Sequence, residues 1–264
     1  MHAPTLKAIP TDMLLMAYRS GIFPMADSRD DDELYWVEPR ERAVIPLDGL
    51  KISRSLAKAI RQDRFRVTCN ADFAGVLAAC AAPRPGHPES WISGRIAASY
   101  RALHLAGYAH SIECWQDGEI VGGLYGVGFD HAFCGESMFS HISDASKVAL
   151  AWLVALLRHA GYRLLDCQFM TRHLASLGAI AMSREAYLER LSDAVAAGPA
   201  PALPEAYASL LGVTAAGGSG VGDAVAVGLG AGAGRADSSS SAELPEAGAS
   251  SPGKLILQSL THTS

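Results

Sequence analysis

The spacing of apolar positions changes several times along the chain, and each change marks an element. Thr11-Asp12 offers a helix start before the run Met13 to Tyr18, and Gly21 can end that helix. Phe23-Pro24-Met25 follows as an apolar turn, Ser28 to Glu33 as an acidic loop. Trp36 and the run Arg42-Ala43-Val44-Ile45-Pro46-Leu47 read as a short strand and its boundary, and Ile52 to Ile60 suits a helix. Phe65 to Cys69 reads as a strand. Asn70 to Ala82 reads as a helix capped by Asn70, with Phe73, Val76, Leu77 and Cys80 as its apolar stripe. A proline-rich loop spans 83–90, and a second helix runs from about Ser93 to Ala106. Asp117-Gly118 between two apolar runs is a strong hairpin signal, pairing Ser111–Trp115 with Ile120–Val127. Gly122, Gly123, Gly126 and Gly128 thin out the second strand, which points to a bulge or to a ligand lying close to the backbone. A third strand covers Ala132 to Phe139, a long helix capped by Ser143 or Asp144 runs to about His159, a strand covers Leu164 to Gln168, and a helix covers Arg184 to Val195.

After about Gly198 the pattern stops. Ala, Gly, Ser and Pro dominate, and such a segment cannot bury enough apolar area to offset its ordering entropy. The expected division is therefore a small N-terminal α/β domain over 1–62, a catalytic domain over 63–196, and a disordered tail over 197–264 in which Lys254 to Leu260 could form a weak local element.

Composition narrows the function. A net charge of −5 over 264 residues argues against a globally basic nucleic-acid protein, and 49% hydrophobic residues suffice for a sizeable core. No apolar run approaches the ~18 residues of a membrane span, and the first ten residues lack a signal-peptide pattern. Five scattered cysteines without a C-x-x-C pair read as reduced thiols of a cytoplasmic protein. His104, His110, His131, His141 and His173 show no ligand spacing, so no metal site is expected.

Two constellations carry chemistry. In a strand over 164–168, Asp166 and Gln168 stand side by side on one face. Such a pair is costly to bury unless it is hydrogen-bonded or working, and a purely structural Asp is the competing reading. Lys51, Arg54, Lys58 and Arg61 lie on or beside one helix, the last three at i, i+4 and i+7 on one face. They form either a solvated helix face or a phosphate-binding ridge.

The order strand, helix, helix, hairpin, strand, helix, strand suits an acetyltransferase-like (GNAT-type) mixed sheet flanked by helices, an α+β fold. Acetyl-CoA members of that class cradle pyrophosphate on a glycine-bearing turn that opens a helix. Ser140 to Lys147 holds no glycine, which disfavours an acyl-CoA donor.

Several longer segments resemble leucyl/phenylalanyl-tRNA–protein transferases: Ala17 to Met25, Arg42 to Asp48, Ile52 to Leu56, Trp91-Ile92, Ala109 to Glu113, Gly122 to Gly126, Gly135 to Phe139, Asp144 to Lys147 and Asp166-Cys167-Gln168. The resemblance spans about 11–195. It departs at Tyr35-Trp36-Val37-Glu38, where the family has Trp-Trp-Ser-Pro, and no counterpart is placed for the segment after about 196. It implies a monomeric enzyme, without cofactor or membrane attachment, that moves Leu, Phe or Met from aminoacyl-tRNA to the α-amino group of proteins beginning with Lys or Arg, a degradation signal. It implies that Gln168 holds the amine through its side-chain oxygen while Asp166 orients and polarises it. It implies that Glu136 faces the cationic acceptor, a strand-edge surface charge being the alternative, and that Trp36, Trp91, Leu124, Phe133, Leu150, Leu153 and Leu165 line the donor pocket, plain core packing being the alternative for each of these seven. A tryptophan would stack on the terminal adenine, and the Lys51–Arg61 ridge would take acceptor-stem phosphates. An acyl-CoA-dependent N-acyltransferase and a non-catalytic tRNA-binding protein remain as alternatives.

Overall fold

Asp117 and Gly118 turn the chain in the way their side chains favour, both at positive φ (53° and 84°), and close a two-residue hairpin loop. Around that hairpin the computed structural model describes residues 8–31, 33–83, 89–212 and 251–261. The elements in chain order are α1 (Thr11–Arg19), β1 (Phe23–Met25), β2 (Tyr35–Val37), β3 (Glu41–Val44), α2 (Arg54–Arg61), β4 (Arg66–Cys69), α3 (Phe73–Ala81), α4 (Gly94–Leu105), β5 (Ala109–Gln116), β6 (Glu119–Phe129), β7 (Ala132–Ser140), α5 (Ala145–His159), β8 (Leu164–Asp166), α6 (Arg172–Ser176), β9 (Ile180–Ser183), α7 (Arg184–Ala196), α8 (Leu203–Leu210) and α9 (Pro252–Thr261). The fold is a mixed α+β arrangement. A seven-stranded sheet has the order β4-β5-β6-β7-β8-β3-β9, and β1 and β2 form a separate two-stranded ribbon. Every neighbour in the large sheet is antiparallel except β7 and β8. Although β3 precedes residue 62, it lies inside the large sheet, between β8 and β9.

Side-chain alternation sends Leu165 and Phe133 to one face of the sheet and Leu164 and Cys134 to the other. The first face packs against α5, α2, α8 and α9; the second packs against α1, α3, α4 and α7. Twelve residues of α5 are buried, because its inner side meets β5–β7 and its outer side meets α8 and α9. A helix apolar on all sides requires such a double cover.

The tail departs from the expected disorder where it is described. Leu203, Ala206 and Ile256 are buried in the core beside α5, and Tyr207 donates its hydroxyl to the Val67 carbonyl at 2.7 Å. Average composition hid α8, whereas α9 falls where Lys254 to Leu260 was expected to form a local element; Leu203, Leu210, Ile256, Leu257 and Leu260 of the two helices pack on the core, and 213–250 and 262–264 lie outside the described residues. Ile256→Ala is expected to lower stability by about 2–5 kcal/mol. Denaturant unfolding checks this, and a change under about 0.5 kcal/mol, the size of an ordinary surface substitution, would show that α9 does not cover the core.

The strand glycines serve packing rather than a ligand. A Cβ on Gly122 would run into Ala145 of α5, and one on Gly126 into the Phe133 ring. The register shifts between Tyr125 and Gly126, so the bulge is present. The cap of α3 is Asp72, whose carboxylate accepts from Gly75 N at 2.8 Å, and Asn70 instead takes positive φ and bonds Ser111 N.

Candidate active site

Parallel strands β7 and β8 share three register pairs, Ala132 with Leu164, Phe133 with Leu165 and Cys134 with Asp166. Beyond Cys134 they part. β7 continues to Ser140, while the chain after Asp166 turns to β3, with Cys167 N donating to Ala43 O (2.8 Å) and Ala43 N to Gln168 O (3.0 Å). The wedge so opened is a cavity of about 300 Å³ with a mostly apolar wall, the size of a small-ligand site. Leu124, Leu150, Leu153 and Leu165 line it, as do Glu136 and Gln168.

Asp166 and Gln168 do not stand side by side on one strand face as expected. β8 ends at Asp166, and Gln168 sits at φ 55°, in the left-handed region. Asp166 is fully buried and takes no part in the cavity wall. Its Oδ1 accepts from Arg42 Nε at 3.0 Å and from the backbone N of Gln168 at 2.9 Å. Its Oδ2 accepts from Arg42 Nη2 at 2.7 Å and from Tyr187 OH at 3.1 Å. Arg42 is 2% exposed and also donates to Gly21 O (2.8 Å), the carbonyl where α1 ends in a positive-φ glycine. Its guanidinium lies over the Phe23 and Tyr187 rings, 4.9 and 4.3 Å from their centroids. Burial alone would lower the Arg42 pKa; the Asp166 carboxylate outweighs it and holds the guanidinium charged.

A second polar cluster faces the cavity. Glu136 Oε1 accepts from Tyr18 OH (2.8 Å) and Gln168 Nε2 (3.1 Å), and Oε2 accepts from Tyr100 OH (2.8 Å). The two tyrosine hydroxyls lie 2.6 Å apart. Glu136 is packed among neighbours yet keeps surface toward the cavity. Burial pushes its carboxyl up to about 7, opposed by the Tyr100 and Tyr18 hydrogen bonds and by Arg42, and aided by Asp166. An ionised carboxylate only accepts, so its bond to Gln168 Nε2 fixes which end of that amide faces away as an acceptor.

The other expected site residues divide. Phe133 is fully buried and is not in the cavity wall; it fills the space left by Gly126 and Gly128, so it belongs to the core. Neither tryptophan lines the cavity. Trp91 packs edge-on to Tyr100 at 6.5 Å, and Trp36, 43% exposed, borders a separate hollow with Ile9, Pro10, Met13 and Arg95. Lys51, Arg54, Lys58 and Arg61 are all exposed, whereas Leu56, Ala59 and Ile60 on the other side of α2 are buried. The ridge adjoins the cavity rim: Lys51 N donates to Leu177 O (2.9 Å), and Leu174, one turn earlier, lines the cavity. Among the described residues no three His, Cys, Asp or Glu side chains gather as a metal site requires. Arg42, Tyr18, Tyr100 and Tyr187 had no assigned role from sequence. The only signal for them was an arginine in an apolar strand and tyrosines at apolar helix positions.

Comparison with known proteins points to one family. The family model described as leucyl/phenylalanyl-tRNA protein transferase matches residues 44–192, and that of its N-terminal domain matches residues 8–40. A leucyl/phenylalanyl-tRNA–protein transferase of Novosphingobium aromaticivorans is 59% identical over 97% of this chain and 97% of its own length. The C-terminal segment thus has a counterpart in that relative. The similarly named protein of Zymomonas mobilis is 59% identical over 71% of this chain and 70% of its own. A crystal structure of a functionally unknown conserved protein from Staphylococcus epidermidis aligns over 69% of this chain and 67% of that one, at 12% identity and a TM-score of 0.34. With the family model and the full-length relative in agreement, the chain belongs to the leucyl/phenylalanyl-tRNA–protein transferase family.

Proposed function

We propose that the protein transfers Leu, Phe or Met from aminoacyl-tRNA to the α-amino group of proteins beginning with Lys or Arg, and that the reaction occurs in the wedge between β7 and β8. The observation that carries this reading is an apolar cavity with two polar groups, Gln168 and Glu136, on one wall. The apolar part suits the donor side chain. A carboxylate beside an amide suits a cationic N-terminus. A parallel strand pair that splays into a cleft also supports a GNAT-type description of the sheet.

In this reading the α-amine attacks the ester carbonyl, and the tRNA 3′ oxygen leaves. An α-amino group has a pKa of about 7.7–8.0, so a fraction is neutral at pH 7 and positioning counts for most. Gln168 holds the amine through its amide oxygen. Asp166, walled in by Arg42 and Tyr187, acts through Gln168 by fixing its backbone, and is therefore a positioning residue. Exposed Trp36 stacks on the terminal adenine, and the α2 ridge takes acceptor-stem phosphates.

Purified protein mixed with radiolabelled Leu-tRNA and a peptide starting with Arg is expected to give labelled peptide; no label would refute the reading. If the ridge engages about three or four phosphates, affinity for tRNA should fall with roughly the third power of salt concentration. Replacing Arg54, Lys58 and Arg61 by Ala should flatten that slope, which a filter-binding titration measures.

A further inference from the structure

The carboxylate that touches the side chain of Gln168 is Glu136, since Asp166 reaches only its backbone. Glu136 also shares the cavity wall with Gln168, so an ammonium group held at the amide oxygen sits beside it. A carboxylate has about four acceptor positions. Among the described residues three are taken, by Tyr18, Gln168 and Tyr100, which leaves one on Oε2.

We propose that Glu136 is the group that takes up the proton the acceptor amine must lose before it attacks. The inference rests on the aminoacyl-transfer reading and adds a catalytic residue to it. The step balances. The acceptor's ammonium gives one proton to the Glu136 carboxylate, and the neutral nitrogen forms the C–N bond. The ester C–O bond then breaks, the 3′ oxygen takes the second nitrogen proton and leaves as a hydroxyl, and Glu136 returns its proton to solvent through the cavity.

The surroundings fit a proton carrier rather than a fixed ion. Tyr18 from α1 and Tyr100 from α4 donate to the carboxylate and hold its geometry in either protonation state. Both hydroxyls stay protonated, their pKa values raised by burial and by Glu136 itself. The charged neighbours, Asp166 of β8 and Arg42 of β3, act on Glu136 with opposite signs, and they are committed to each other. Tyr125 of β6 and Cys134 of β7 stand nearby as buried neutral groups. Burial leaves the carboxyl near 7, close to the amine it serves. Proton transfer between matched groups needs little driving force, and a positioned base contributes about 10²–10⁴-fold.

The test is the pH profile of kcat/KM for peptide labelling. Wild type should lose activity below an ionisation near 7, that of Glu136. Glu136→Gln should fall about 10²-fold at pH 7, and its acid limb should move toward about 8, the amine's own ionisation. Binding of a non-hydrolysable aminoacyl-adenosine amide should be retained. Tyr100→Phe removes a bond that favours the ionised carboxylate, so its acid limb should move to higher pH while activity persists above it. A folded Glu136→Gln variant within about threefold of wild type, with the acid limb unmoved, overturns the proposal. Should that variant not fold, an unshifted limb in Tyr100→Phe overturns it instead. Failure of wild type itself to label peptide counts against the transferase reading, whereas active wild type with unshifted variants counts against Glu136 alone.

Discussion

Replacing Asp166 by Ala is expected to reduce stability by about 3–5 kcal/mol, because it strands the buried Arg42 guanidinium without its counter-charge. The same change releases the backbone N of Gln168, which Asp166 Oδ1 holds at 2.9 Å, so turnover should fall as well. The two effects can be separated. Replacing Arg42 by Met and Asp166 by Leu together removes both charges and should restore much of the lost stability, since a buried ion pair competes poorly with apolar packing. It restores nothing that holds Gln168, so kcat should remain low. Denaturant unfolding and peptide labelling on the two variants decide the matter. A double variant with full turnover would show that Asp166 is needed only to neutralise Arg42.

Gln168→Ala should lower kcat by about two orders of magnitude while leaving tRNA affinity within a factor of two or three. Among the described residues, the other non-glycine positions at positive φ are all Asp or Asn, which tolerate that conformation; Gln168 alone is a longer side chain held there. An outlier of this kind costs about 1–3 kcal/mol and persists where the surroundings impose it. Gln168→Gly should therefore be as inactive as the Ala variant and yet more stable than it, by about 1 kcal/mol. Equal melting temperatures for the two variants would show that the backbone at 168 is not strained.

Periodicity revealed the hairpin, the long buried helix and the sharply two-sided α2, because each obeys a local rule of turn chemistry or side-chain spacing. Arg42 and Asp166 lie 124 positions apart, and no local pattern couples them. The end of β8 departs from the expected strand for a related reason. Alternation assumes that a strand continues, and only the contacts of 167 and 168 with β3 turn the backbone out of it. Of the apolar residues expected around a donor side chain, Leu124, Leu150, Leu153 and Leu165 line the cavity, while Phe133, of the same apolar type, lies in the core. Hydrophobicity alone does not distinguish a pocket wall from an interior. The tyrosines that grip Glu136 were hidden likewise, since a tyrosine on an apolar stripe serves packing and polar anchoring with the same ring.

The double cover of α5 has a consequence for synthesis. Its outer side is closed by α8 and α9, and the last of these ends at Thr261, 102 residues after α5 itself ends at His159. At ordinary translation speeds of about 5–20 residues per second, a nascent chain waits roughly 5–20 s between making the helix and making its lid. During that interval a row of Leu, Val and Trp side chains meets water or a chaperone, and a ribosome that stalled before α9 was made would leave the interior open on one side.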